Sequence, residues 1–193
     1  MLESVPYPWP YLGPVPPHRL ALVVTGAQPA WIDRSVDAPA VGDRIDAIAS
    51  VVRAAGGTVF VVRHACSRTR HPLPPRVRTP EWVLLFDVSP RDVVVDAGGV
   101  DGFHGSALDD ELRLRGIDHL VLCGFAAEAT VDSTLRSAND RGYECLTLTD
   151  AVAPLDRDLG RHTLSSVTMS GGIFGAVASS EYLLAQLPVL ETT

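Results

Sequence analysis

The chain contains no lysine: all sixteen of its basic residues are arginine. Arginine stays protonated under any ordinary condition. No side-chain amine is therefore available as a base, as a Schiff-base partner or as the cation beside a thiolate, and any mechanism that needs a lysine from this chain is excluded. Cysteine is scarce as well. Cys66, Cys123 and Cys145 form an odd, sparse set, which reads as free thiols in a reducing compartment rather than a disulfide framework. No stretch approaches the roughly 18 apolar residues of a membrane helix. The proline-rich opening MLESVPYPWPYLGPVPPHR has no apolar signal core, so a cytoplasmic protein is expected. Positive charge is in deficit, with a net charge of −7 and a pI near 5.2. That balance argues against nucleic acid and anionic membranes as partners.

What is present is an ordinary globular composition, 46% hydrophobic and 20% charged over 193 residues, enough for one core. Residues 1–18 hold many of the prolines and read as an extended arm. It either docks on its own domain through Tyr7, Trp9 and Tyr11 or reaches a neighbouring subunit. Residues 19–190 read as a single domain. Continuous apolar runs predict buried strands over 20–24, 58–62, 92–95, 119–123 and 144–148. Helical spacing through Ile45, Ile48, Ala49 and Val52 predicts a helix over 41–55 that Gly56-Gly57 stops. Residues 67–78 read as a loop. Thr79-Pro80-Glu81 reads as a helix start. Ser106 is expected to cap a helix over 107–115, with Asp109 completing a capping box. Gly124–Ala126 reads as a tight turn before a helix over 127–141. Further helices are expected over 159–169 and 180–187, with a short apolar piece at 173–176. Alternating strands and helices predict an α/β fold, a three-layer α/β/α sandwich on a mainly parallel sheet. Ligands in such sheets sit at the carboxyl ends of the strands.

Several segments, in order, resemble one family. LVLCGFAAEATVDSTLRSANDRGYECLTLTDAVA (120–153) is similar to the isochorismatase-like cysteine hydrolases. YPWPYLGPV (7–15), SANDRGYECL (137–146) and MSGGIFGAVASS (169–180) are most similar to their biuret and ureidoacrylate hydrolase branch. The resemblance covers nearly the whole chain; residues 66–88 match least. It implies an isochorismatase-like fold and points to an Asp-Lys-Cys catalytic set that this sequence does not carry. In ALVVTGAQ (21–28) the family's Gln is kept as Gln28, but Gly26 stands at the Asp position. In DVVVDAGGVDGF (92–103) Phe103 is kept and Ala97 stands at the Lys position. In the Gly-x-x-Thr-x-x-Cys-Val pattern, which begins here at Gly124, Ala127 and Thr130 replace Thr and Cys. The family reaction needs a thiolate activated by an adjacent carboxylate. Thr130 offers a hydroxyl and Gly26 offers no base, so Thr130 reads as a packing or capping residue before it reads as a nucleophile. The resemblance also implies a non-proline cis peptide in the turn, at Ala126–Ala127, whose amide and that of Thr130 form an oxyanion hole. With three long side chains replaced by small ones, a larger and less polar pocket is expected.

Other chemistry, if any, falls to the rim of the strand ends. His104, His64, Asp101 and Glu128 are the candidate acids and bases. Each is weighed against an ordinary second role as a surface or loop-holding residue. Gly26, Gln28, Trp31, Arg63, Ala97, Phe103, Ala126, Ala127 and Thr130 are the candidate binding residues. Asp96 is expected to face away from Ala97, its neighbour on the same strand. Some relatives hold zinc through an Asp-x-His grouping after the second strand. Arg63-His64-Ala65-Cys66 offers only scattered donors, and neither a metal nor a cofactor is expected. Gly99-x-x-Gly102-x-x-Gly105 is not the dinucleotide pattern and reads as a pocket loop. Cys123 and Cys145 read as inert core thiols. Two functions stay open. One is a repurposed enzyme acting non-covalently on a small organic molecule. The other is a pseudoenzyme that binds a ligand or serves as partner subunit of an active homologue. Family members assemble as dimers and tetramers, so a homo-oligomer is expected, with a hetero-oligomer as the variant of the second reading.

Overall fold

A computed structural model describes residues 4–66 and 73–187. Six strands form one parallel sheet: β1 (Leu20–Thr25), β2 (Thr58–His64), β3 (Val93–Ala97), β4 (His119–Phe125), β5 (Glu144–Ala153) and β6 (Ala176–Ala178), in the order β3-β2-β1-β4-β5-β6. The helices are α1 (Pro29–Ile32), α2 (Ala38–Ala54), α3 (Leu108–Leu114), α4 (Asp132–Asp140), α5 (Arg157–Met169) and α6 (Ser180–Gln186). The expected α/β/α sandwich is the observed one. Each apolar strand feeds two cores because alternate side chains leave opposite faces. Leu22 and Val24 pack with Ile45, Ile48 and Ala49 of α2. Ala21 and Val23 pack with Leu112, Leu122 and Leu135 on the other face. Burying each of these larger side chains contributes up to about 1.5–3 kcal/mol.

The chain order runs β1, β2, β3 to one side of β1 and β4, β5, β6 to the other. The seam between β1 and β4 is therefore the topological switch point, where α/β sheets open a crevice at their carboxyl ends. Two glycines let the strands close in there. A Cβ on Gly124 (φ +128°) would lie 2.0 Å from the carbonyl oxygen of Thr25. One on Gly26 (φ +65°) would lie 1.7 Å from that of Phe125. Neither position tolerates a side chain as the backbone stands.

Some local expectations are corrected. Gly124 and Phe125 belong to β4 rather than to a turn, because ladder bonds to β1 and β5 continue through them. Residues 127–131 are not regular α-helix. They form one wide turn in which the Val131 amide donates to the Ala126 carbonyl, five residues back, at 3.2 Å. Such turns often mark functional positions. The helix start at Thr79 is one 3-10 turn, Pro80–Trp82; the Thr79 hydroxyl turns back onto the Arg76 carbonyl (2.9 Å). Ser106 accepts from the Leu108 amide (3.3 Å), but no capping box forms. Asp109 instead receives Arg113 Nε (2.9 Å) and Tyr143 Oη (2.7 Å). β5 runs five residues beyond its expected end, past a register shift against β4. The apolar piece expected over 173–176 is a turn with Ile173 70% exposed, and the strand follows it. The loop expected over 67–78 falls partly outside the described residues.

The proline-rich segment lies against its own domain. Trp9 is buried, the Tyr182 hydroxyl donates to its carbonyl, and Val5 forms an antiparallel bridge with Val177 on β6. Glu144 accepts from the Tyr11 amide and also faces His119 Nε2 at 3.0 Å. His119 Nδ1 faces Asp118. No helix among the described residues is long and apolar enough to cross a membrane.

Candidate functional site

At the β1–β4 seam, Gly26, Ala126, Ala127 and Thr130 come together with a residue the sequence did not single out, Thr25. The Thr130 hydroxyl donates to the Phe125 carbonyl (2.6 Å), and its oxygen lies 2.9 Å from Thr25 Oγ1. A hydroxyl has one proton. Once Thr130 has given its proton to Phe125, Thr25 must be the donor between the two threonines. Both side chains are fully buried. The cis peptide is Phe125–Ala126, one residue earlier than the expected Ala126–Ala127.

Among the described residues, the expected larger pocket is not seen at Gly26, Ala97 and Thr130, all of which are buried. The space a side chain at Gly26 would take is filled by the Phe125 carbonyl, with Thr130 Oγ1 at 3.1 Å from the same point.

A second group gathers at the ends of β2 and β3. Gln28 is fully buried and works as a clamp. Its Nε2 donates to the His64 and Trp82 carbonyls, both at 3.0 Å, and its Oε1 accepts from the His64 amide at 2.8 Å. His64 is opposite Ala97 in the strand register. Its Nδ1 lies 2.9 Å from the Gly99 carbonyl oxygen and so carries the proton. Its Nε2 is buried without a partner. Burial pushes the His64 pKa down to about 4, against smaller opposing effects of the Gly99 bond and Asp101, so the ring is neutral near pH 7. His104 packs its ring against Gly99 from the outside and is exposed. The two candidate histidines thus flank one glycine loop, one inside and one outside.

The other candidates are held in structural roles. Arg63 is bidentate to Asp96 (2.6 and 3.0 Å) and lies 3.6 Å over the Trp82 ring. Asp96 itself is exposed and turned away from Ala97. Asp101 caps its own loop, accepting from the Phe103 amide (2.9 Å) and the Ser137 hydroxyl (2.6 Å). Glu128 Oε1 accepts from the Leu155 and Asp156 amides, at 2.8 and 3.1 Å, and ties the end of β5 to the wide turn. Phe103 stacks on Tyr143 with Arg141 over it, and joins the core on the α3–α4 side of the sheet. Trp31 is buried in the opposite core, and its indole N–H has no partner. Trp82, which the sequence reading passed over, has a buried, unpartnered indole N–H too. Among the described residues, no three His, Cys, Asp or Glu side chains stand together as a metal site. The residues present at the end of β2 do not fit the zinc grouping. Burial pushes the Cys123 and Cys145 thiols well up, so neither is a nucleophile near neutrality.

Residues 20–181 match the isochorismatase domain model. An isochorismatase family protein of Bacillus subtilis, YwoC, is 38% identical over 84 residues, 44% of each chain. The ureidoacrylate amidohydrolase RutB of Variovorax paradoxus is 46% identical over 77 residues, 39% of this chain and 31% of that one. The matched stretches therefore span less than half the length of these relatives. Among solved structures, an isochorismatase family protein of Burkholderia thailandensis has a TM-score of 0.78 at 28% identity, covering 90% of this chain and 97% of that one. A cysteine hydrolase of Pseudomonas syringae pv. phaseolicola has a TM-score of 0.80 at 23% identity, over 91% and 95% of the two chains, and shares the fold.

Proposed function

The chain belongs to the isochorismatase domain family, and from that premise we propose that it has kept the family's hydrolase-like scaffold and given up covalent hydrolysis. In this reading Gly26, Ala97 and Thr130 stand where the hydrolases carry Asp, Lys and Cys, and the protein works as a binding member or partner subunit. The observation that carries it is the state of Thr130. Its one proton goes to the Phe125 carbonyl, its oxygen is occupied by Thr25, and it is fully buried. A hydroxyl nucleophile needs a base within hydrogen-bond reach, and its partners at that distance among the described residues are one hydroxyl, Thr25, and one carbonyl, Phe125. The absent lysine removes the remaining member of the set. A homo-oligomer, or a hetero-oligomer with a triad-bearing homologue, belongs to the same reading.

A second reading, a repurposed non-covalent enzyme, draws on His64. Its neutral ring keeps a bare, buried Nε2 lone pair at the strand ends. Among the described residues it shares this state with one other atom of the candidate acids and bases, Glu128 Oε2, and proton abstraction from a bound ligand is the chemistry it offers.

The deciding experiment measures ammonia release from ureidoacrylate, the substrate in the name of the RutB relatives, and from a panel of simple amides. No release above buffer is expected. Release that disappears in Thr130→Ala overturns the proposal. Release that survives Thr130→Ala and disappears in His64→Gln replaces it with the second reading. Native mass spectrometry of protein taken directly from its producing cells tests the partner: a homo-oligomer or a co-purifying homologue is expected, and a bare monomer removes that part.

A further inference from the structure

On the α2 face of the sheet, away from the paired threonines, a cavity of about 260 Å³ lies between the first half of α2 and the ends of β1 and β4. Its walls are apolar, with Val24, Ile32, Ile45, Leu85, Phe86 and Phe125. The lip is fixed by the Leu85 amide on the Ala27 carbonyl at 2.9 Å. It opens at the switch point, where doubly wound sheets take their ligands.

The rim has one sign of charge. Asp43 and Asp46, one turn apart on α2, line the opening. Neither makes a hydrogen bond or an ion pair within the described residues. Asp46 is shifted upward, by burial first and then by the charge of Asp87, with Arg53 opposing and Asp43 adding a smaller rise. Among the described residues, the arginines around this end pair with other carboxylates, although the charge of Arg53 also acts on Asp46. Arg53 is bidentate to Asp92 (3.0 and 2.6 Å), Arg44 faces Asp150 (3.3 Å) and Arg157 faces Asp37 (2.8 Å). Carboxylates here outnumber the nearby cation, with Asp43, Asp46, Asp87 and Asp92 against Arg53, and such an excess beside apolar walls attracts a cation and repels an anion.

We propose that this cavity binds a small organic ammonium ion, with its hydrocarbon body between Ile45, Phe86 and Phe125 and its charged nitrogen at Asp43 and Asp46. A volume below the roughly 300 Å³ at which drug-sized sites begin limits the body to one ring or a short chain. The Phe86 ring already has the Arg53 guanidinium 5.5 Å from its centroid, so the attraction at the mouth comes from the carboxylates. A bare metal ion fits less well, because Asp43 and Asp46 are two carboxylates only and no third His, Cys, Asp or Glu joins them among the described residues. The inference is independent of the non-hydrolysing reading, since neither Thr130, Ala97 nor His64 lines the cavity.

The test is a calorimetric titration with benzylamine, and with benzyl alcohol and benzoate as neutral and anionic bodies of the same shape. Benzylamine is expected to bind about tenfold or more tightly than either, a difference of about 1.4 kcal/mol. The Asp43→Asn, Asp46→Asn double variant should bring benzylamine down to the level of the alcohol. Gly42 lines the cavity, and a Cβ there meets nothing within 4 Å. Gly42→Leu should therefore fold normally and block all three. Equal binding of amine and alcohol, stronger binding of benzoate, no binding of benzylamine, or binding indifferent to both variants would each overturn the proposal.

Discussion

Thr25 and Thr130 meet across the seam between β1 and β4 with their hydroxyl oxygens 2.9 Å apart, and Thr130 passes its proton on to the carbonyl of Phe125. The two side chains relay one directional chain of hydrogen bonds from strand to turn, in a place sealed from water. A pair so placed is a latch. Replacing Thr130 by Val keeps the shape and removes the donor, depriving the buried Phe125 carbonyl of it and leaving the Thr25 hydroxyl only its long bond to the Cys123 carbonyl (3.4 Å). A loss of about 1–3 kcal/mol is expected in urea unfolding, against less than about 1 kcal/mol for Thr130→Ser. Equal losses for the two variants would mean that methyl packing, not the hydroxyl, holds the seam.

Rebuilding the hydrolase set should fail for a steric reason. Any side chain at Gly26 starts 1.7 Å from the Phe125 carbonyl oxygen and sits at φ +65°. Gly26→Ala alone should destabilise by more than about 3 kcal/mol, as expected when a buried backbone clash is added to left-handed strain. The Gly26→Asp, Ala97→Lys, Thr130→Cys triple variant is expected to give little soluble protein and no ammonia release. Soluble, active triple variant would show that the seam opens readily.

His64 ties stability to pH. Its folded pKa of about 4 lies below the unfolded value of 6.5. Between those values the unfolded chain holds a proton that the native state does not, so stability rises with pH. The contribution is fully present above about pH 6.5 and is lost as pH falls through 4, about 3 kcal/mol in all. Urea midpoints measured from pH 4 to 8 should fall on the acid side, and His64→Gln should flatten that limb. An unchanged slope in His64→Gln would assign the acid sensitivity to other groups.

Gln28 makes three hydrogen bonds to backbone that no neighbour in sequence can replace. Gln28→Met matches its length and satisfies none of them. A cost of about 2–4 kcal/mol is expected. Faster hydrogen exchange should be confined to the His64 amide and the ends of β1 and β2. Exchange rising evenly over the domain would argue against a local clamp.

The sheet was legible because its strands are unbroken apolar runs, and α2 because Ile45, Ile48, Ala49 and Val52 repeat at helical spacing. Both signals are local. The full length of β5 was not legible: Thr147, Thr149 and Asp150 break the run, and the register shift that lets it continue depends on β4. At the site, the sequence located the right strand ends but not the bonds between them. The partners of Gln28 lie 36 and 54 residues away, and Thr25 and Thr130 are 105 apart. Asp101 and Glu128 looked like free acids for the same reason. Their amide partners are set by loop geometry that no spacing records. Thr25 had one usable signal, its place beside Gly26 at a strand end.

The bridge between Val5 and Val177 has a consequence for how copies of this sheet can meet. β6 is three residues long, and its outward-facing N–H and C=O at Val177 are both taken by Val5, at 2.7 and 3.0 Å. Among the described residues, the opposite border, β3, has no strand beyond it. A ribbon with one selvedge hemmed can be joined only along the other. Strand-to-strand joining therefore ends after two copies, back to back across a twofold axis, and has no free margin from which to run on into a fibre.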